Sequence, residues 1–318
     1  MRSRQFVFAA VLATIALPGA APAATTLIVG KAVANATAME PVNLGQEFGI
    51  FEKHGLDLKI SDFTGGSKLI QAMTAGSVDI GIADGTGMAF TAKGAPIMAI
   101  CEAEEKMYPT GVAVPWDSPV HSLDGLKGKR IGISSPGSFT DFLATQLAQE
   151  RGWGPDGITK VAIGNGITAA IAGFRTHTID ADIFPTADIF AMEEKHQGRL
   201  LAVAADFLPP TAAGAIFATN QAIAAHPEAV RAFVAGWLDT IRYMRAHKER
   251  SVAALSKLTG LSTAAMAKDY DLVVPSLSED CRFDAQSLAN LQRMFVAQKF
   301  LSTAPDMSKL YTNAFMPK

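Results

Sequence analysis

The sequence predicts an α/β fold of two similar lobes, each with a mainly parallel sheet, joined by two crossing segments. Two observations carry this. From Thr26 onward, short apolar strands alternate with glycine turns and helical stretches. The order of elements also repeats: residues 69–82 (LIQAMTAGSVDIGI) and 170–183 (AIAGFRTHTIDADI) are related by a shift of 101 residues, so that Val78-Asp79 falls on Ile179-Asp180. In such folds ligands bind outside the carboxyl ends of the strands, where the glycine turns lie.

Taken in order, residues 26–30 (TLIVG) form a first strand, followed by a polar loop through Asn35, Thr37 and Glu40. Pro41 suits the first turn of a helix running towards Phe48, and Gly55 suits a left-handed cap after residues 51–54. Residues 56–60 alternate as a second strand. The loop 63–67 (FTGGS) opens a helix with Leu69, Ile70 and Met73 on its inner face, and Gly76 ends it. A strand at 78–82 leads into the turn Asp84-Gly85-Thr86-Gly87 and another helix. Gly94-Ala95-Pro96 breaks that helix before a strand at 97–101.

The stretch 123–140 (LDGLKGKRIGISSPGSFT) is the most informative. Residues 130–134 read as a buried strand. Ser138 is a good N-cap with Asp141 in the capping-box position. Ser134, Ser135, Gly137 and Ser138 then surround a helix N-terminus with hydroxyls and backbone N–H groups, an arrangement that favours an anion or other acceptor. In the second half, 161–163 is a strand, Gly164-Asn165-Gly166 a turn and Phe184-Pro185-Thr186 a strand exit. Residues 111–114 (GVAV) read as the crossing out of the first lobe and 215–219 (AIFAT) as the crossing back. Beyond them the chain is helical. After Pro227-Glu228, the residues Val230, Phe233, Val234, Trp237, Leu238 and Ile241 form one apolar stripe, which reads as core, and further helices are expected at 251–259, 262–272 and 285–300.

Composition limits the function. With 318 residues and 49% hydrophobic content, the chain has ample core for one or two domains. Arg2 and Arg4, the apolar run 6–17 and Ala21-Pro22-Ala23 make residues 1–24 a secretory signal peptide. No cysteine follows that run, so a lipid anchor is not expected, and the expected location is the periplasm. Without Arg2 and Arg4 the 28 basic and 30 acidic residues become 26 against 30, a mildly acidic balance that argues against nucleic acid as partner. Cys101 and Cys281 are the two cysteines, and their positions leave a disulfide and two buried thiols equally open. HExxH, GxSxG, Walker and GxGxxG motifs are absent, and the six histidines show no metal spacing. Neither a catalytic residue, a metal nor a cofactor is expected.

Several runs resemble the periplasmic substrate-binding proteins of ABC importers, in the group of sulfonate, taurine and nitrate binders and NMT1/THI5-like thiamine-precursor proteins. They are residues 49–56 (GIFEKHGL), Gly65-Gly66, 72–79 (AMTAGSVD), 126–132 (LKGKRIG) with Pro136-Gly137-Ser138, and His226-Pro227-Glu228. The resemblance implies a type II periplasmic binding protein: a first lobe of residues 25–114 and 214–318, and a second of 115–213. It implies ligand contacts from Asn35, Met39, Gly66, Ser67, Asp84 and Thr86 in the first lobe. Ser135, Ser138, Phe139, Thr140, Asn165 and Thr186 would join them from the second, with Phe139 or Phe184 covering an apolar portion. Each hydroxyl has the alternative role of a helix cap. Asp84 departs from a pure anion site, and no arginine lies in these loops, so no bidentate clamp for a dianion is predicted. The implied function is capture, by a monomer, of a sulfonate-like, nitrate-like or carboxylate anion or a pyrimidine-type thiamine precursor, for a permease and its ATPase. A sensor module would share fold and cleft. The family's pyrimidine synthases use a cysteine-rich motif that two distant cysteines do not supply.

Overall fold

The computed structural model describes residues 24–317 apart from 105, 155 and 165. The expected signal peptide lies outside the described residues save for its last position. Among the described residues the strands are β1 (Thr25–Lys31), β2 (Leu56–Asp62), β3 (Ile80–Asp84), β4 (Ile97–Glu104), β5 (Thr110–Val114), β6 (Arg130–Ile133), β7 (Thr159–Ala162), β8 (Ala181–Pro185), β9 (Arg199–Val203) and β10 (Gly214–Thr219). They form two five-stranded sheets, ordered β2-β1-β3-β10-β4 and β7-β6-β8-β5-β9. In the first, β1 runs parallel to β2 and β3, as β6 does to β7 and β8 in the second. β10 and β5 run antiparallel to both of their neighbours. The expected two lobes with mainly parallel sheets are what the chain forms.

The α-helices are α1 (Pro41–Glu47), α2 (Ile50–Lys53), α3 (Gly66–Thr74), α4 (Gly87–Ala92), α5 (Phe139–Glu150), α6 (Ile167–Arg175), α7 (Thr186–Glu194), α8 (Asn220–Ala225), α9 (Pro227–Ala246), α10 (Lys248–Thr259), α11 (Thr263–Val273) and α12 (Ala285–Ala297). The repeat reappears at the same shift of 101, with α3 and β3 falling on α6 and β8. Its aspartates share one job. Asp79 accepts from the Ile28 N–H of β1 at 2.8 Å, and Asp180 accepts from the Arg130 N–H of β6 at 2.9 Å. Each carboxylate accepts from a backbone N–H of the strand that pairs in parallel with two neighbours in its sheet. Among the described residues no helix is long and apolar enough to cross a membrane.

The crossings differ from expectation. Residues 111–114 and 215–219 are not connectors but the equivalent antiparallel strands, β5 and β10, each buried between two neighbours. The chain changes sheet just before them, after Glu104 and after Val203. The second lobe's sheet therefore begins at Thr110, before the expected boundary at 115. A short apolar segment flanked by prolines has the same pattern whether it links two sheets or completes one, which is why position alone misassigns it. β9, α7 and α8 escaped the sequence pattern, and α12 ends at Ala297, three residues before its expected end.

The stripe of α9 is core, as expected: Val230, Phe233, Val234, Trp237, Leu238 and Ile241 pack with Phe51 and Phe217. Each fully buried side chain of this size contributes roughly 1.5–3 kcal/mol. Cys101 of β4 and Cys281 form a disulfide with a Cα separation of 4.5 Å, fastening the segment before α12 to the first sheet.

Candidate functional site

Strand ends of both sheets meet around a cavity with about 740 Å³ of atom-free space, its mouth included. The first lobe contributes the ends of β3 and β4, the loop after β1 and the start of α3. The second contributes the loop from β6 to α5 and the end of β8, and the crossing residues Met107 and Pro109 form part of the wall. The walls are largely apolar, with Met39, Ile82, Met107, Phe139 and Phe184 among them.

The polar groups come from two places. Asp84 ends β3 and Glu104 ends β4, and both pair in register with Gly214 of β10, the strand between them. Directly opposed residues of antiparallel strands project to one face, so the two carboxyls flank a position that has no side chain. A Cβ on Gly214 would meet Glu104 Cγ at 3.3 Å, which shows that the glutamate leans over the glycine. Asp84 is 7% exposed and Glu104 3%. Burial raises the Asp84 carboxyl to about 7, against the lowering pull of its own backbone hydrogen bond. Glu104 is held well above its ordinary range by burial first, then by the charges of Asp84 and Asp269.

The second polar group is the loop from β6 to α5. Ser138 caps α5 as expected, accepting from the Asp141 N–H at 3.2 Å. Ser134, Ser138 and Thr140 also bond to one another, with Thr140 Oγ1 3.0 Å from each serine hydroxyl and accepting from the Ser134 N–H at 2.8 Å. The expected oxyanion cradle is filled from within. The Gly137 N–H donates to the Asp141 carboxylate at 2.7 Å, and Lys160 neutralises that carboxylate at 2.5 Å. An external anion would have to displace a tethered one.

The cavity gathers Met39, Gly66, Asp84, Ser138, Phe139 and Thr140 from the expected contacts. Ser67 and Thr86 line a smaller adjoining pocket that Gly66, Asp84 and Phe139 share. Three expected contacts lie elsewhere. Ser135 is exposed on its loop. Asn35, in a left-handed conformation with φ 61°, points its amide at Asp188 of α7 at 3.5 Å. Thr186, fully buried, donates to Asp269 of α11 at 2.5 Å. Asn35 and Thr186 thus bond across the seam between the lobes rather than facing the cavity. Asn165 lies outside the described residues.

Glu104, Met107, Thr110 and Gly214 line the cavity without having been expected there. Glu104 belongs to the run CEAEEK, which reads as a charged exit from a strand ending at Cys101; instead β4 continues to Glu104. A strand extension of this kind is set by pairing with β10 and leaves no local signal. No lysine, arginine or histidine is among the described residues lining the cavity. Nor do those residues include three His, Cys, Asp or Glu side chains arranged to hold a metal ion.

Comparisons with known proteins agree with this architecture. The profile of the family described as NMT1/THI5 like matches residues 36–251. A binding protein of Brucella abortus (strain 2308) is 29% identical over 224 residues, covering 70% of this chain and 68% of its own. The 4-amino-5-hydroxymethyl-2-methylpyrimidine phosphate synthase THI5 of Saccharomyces cerevisiae (strain ATCC 204508 / S288c) is 29% identical over 133 residues, 41% of this chain and 38% of the synthase. Among solved structures, the alkanesulfonate-binding protein SsuA from Xanthomonas axonopodis pv. citri, bound to MOPS, superposes with a TM-score of 0.76. Its identity is 21%, and the match covers 92% of this chain and 99% of that one. The similarity to that structure is one of fold.

Proposed function

Since the chain belongs to the NMT1/THI5-like family, we propose that it is an extracytoplasmic solute receptor, the binding component of an ABC importer. It captures a pyrimidine-type thiamine precursor or a related nitrogen heterocycle between its lobes and presents it to a membrane permease. The observation that carries this reading is the lining of the inter-lobe cavity. Apolar walls carry two carboxyls from the first lobe and bonded hydroxyls from the second, with no basic side chain among the described lining residues. A planar ring with N–H donors complements that lining, as aromatic and hydrogen-bonding groups do in small-molecule sites. A sulfonate, nitrate or carboxylate would find no basic side chain to pair with among the described lining residues.

The relatives support a receptor. The SsuA structure is that of an alkanesulfonate-binding protein, and its likeness supports the fold of a solute binder but not the choice of solute. The yeast synthase carries a pyrimidine in its name, and its match covers 41% of this chain. Here that pyrimidine is read as a ligand and not as a product. Export through the signal peptide, and docking of the closed form on a permease, complete the proposal.

Small-angle scattering tests it. Saturating 4-amino-5-hydroxymethyl-2-methylpyrimidine is expected to reduce the radius of gyration, because only a closed form contacts a solute from both lobes. An unchanged radius with bound solute would exclude capture by closure.

A further inference from the structure

We infer that the cavity is a cation site: the solute presents a protonated nitrogen, amidinium-like or ammonium, to the space over Gly214 between Asp84 and Glu104. This deepens the receptor reading and rests on it, but it concerns charge and not the ring.

Three observations point this way. Glu104 lines the cavity, is 3% exposed, and its Oε2 has no hydrogen-bond partner among the described residues. A buried carboxyl oxygen left in that state costs free energy until a donor reaches it. Second, Gly214 holds open the place a side chain would fill between the two carboxyls, and Glu104 leans into it. The strands of Asp84 and Glu104 stand roughly 10 Å apart at ordinary sheet spacing, with Gly214 of β10 between them. Third, the surroundings supply negative charge and no counter-charge. Asp269 of α11 acts on Glu104 through its charge, and Asp188 of α7 acts on Asp269. The buried Lys31 is committed to Glu40 at 2.6 Å and Asp62 at 3.1 Å, and Lys268 of α11 faces Glu193 at 3.5 Å. The crossing residue Lys106 is exposed and outside the cavity lining.

The consequence is an exchange of protons for ligand. Without a cation, burial raises Asp84 to about 7, so that it is partly protonated near neutral pH, and burial with the charges of Asp84 and Asp269 raises Glu104 in the same direction. A cation stabilises their ionised forms, so its binding releases protons to solvent and its affinity rises with pH.

Benzamidine and benzamide are nearly isosteric and differ in charge, and benzenesulfonate supplies the opposite charge on the same ring. Titration calorimetry of the purified protein, in two buffers of different ionisation enthalpy, reads affinity and proton release together. Benzamidine is expected to bind at least about tenfold more tightly than benzamide and to release protons near pH 6. It should tighten about tenfold or more between about pH 5.5 and 8. Glu104→Gln is expected to lower benzamidine affinity about tenfold and to close most of the gap between benzamidine and benzamide. The wild-type comparison stands even where the variant folds poorly. Equal affinities for benzamidine and benzamide, pH-independent binding, or no benzamidine binding would each overturn the inference. If 4-amino-5-hydroxymethyl-2-methylpyrimidine then still bound, the cation site alone would fall. Tighter binding of benzenesulfonate than of benzamidine would remove the heterocycle reading with it.

Discussion

Thr186 of the second lobe donates its hydroxyl to Asp269 of the first at 2.5 Å, and both residues are fully buried. Around this pair the seam between α7 and α11 is polar. Ser262 reaches Glu194 at 2.7 Å, Lys268 faces Glu193, and Asn35 approaches Asp188. These are contacts that an opened pair of lobes would lose, so they belong to the free energy of closure.

Thr186→Val keeps the shape and removes the donor, leaving a buried carboxyl without it. The expected cost to the closed form is about 1–3 kcal/mol, read as roughly ten- to hundredfold weaker solute binding by calorimetry. Thr186→Ser should restore most of it. An affinity equal to wild type would show that the seam does not contribute to closure.

Stability of the ligand-free protein should fall as pH rises. Burial raises Asp188 and Asp269 to about 6, Asp84 to about 7 and Asp182 to about 8. An acid raised on folding contributes stability that is complete below its unfolded value near 4, and that is lost as pH climbs through its folded value. The melting temperature is therefore expected to decline from about pH 5 to 8, at roughly 2–4 °C per kcal/mol for a chain of this kind. Asp182→Asn keeps an acceptor for the Ile183 N–H, a bond of 2.9 Å in the wild type, and should flatten the alkaline part of the decline. A flat or rising profile in the wild type would contradict this.

Ser138→Ala removes the cap of α5 and one member of the hydroxyl cluster. Read from sequence alone, a binding role for this hydroxyl predicts little change in the stability of the free protein. The cap geometry predicts a loss of about 1 kcal/mol, within the usual range of 0.5–2 for such caps. Differential scanning calorimetry of the free protein decides between them.

Reduction of the Cys101–Cys281 disulfide should lower the melting temperature markedly. The bond spans 180 residues, for which chain entropy sets a contribution of roughly 5 kcal/mol. It also anchors the strand that carries Glu104, so solute affinity is expected to weaken with it. Scans with and without reductant, at matched ligand concentration, read both effects.

Much of this architecture is legible in the residues. Glycine turns, the Ser138 cap, the apolar stripe of α9 and the repeated Asp79 and Asp180 are local patterns, and each reports on structure within a turn or two of itself. The cavity is only half legible. Asp84 and Phe139 sit where a strand or helix visibly ends, whereas Glu104 becomes a cavity residue because β10 extends β4 past an acidic run. The role of Gly214 depends on two neighbours more than 100 residues away. Asn35 and Thr186 have the composition of ligand contacts, but the packing of α7 on α11 turns Thr186 to Asp269, and Asn35 turns to Asp188. No spacing in a single chain encodes which lobe a hydroxyl will face.

We propose that a donor-bearing heterocycle, and not an oxyanion, is held between the lobes. A thermal-shift panel tests it most directly, because a ligand bound only by the folded state must stabilise it, by about 2.7 kcal/mol at a concentration 100 times its Kd. A saturable rise is expected with 4-amino-5-hydroxymethyl-2-methylpyrimidine, and none with alkanesulfonates, nitrate or small carboxylates. A saturable rise with a sulfonate or nitrate, and none with the pyrimidine, would contradict it.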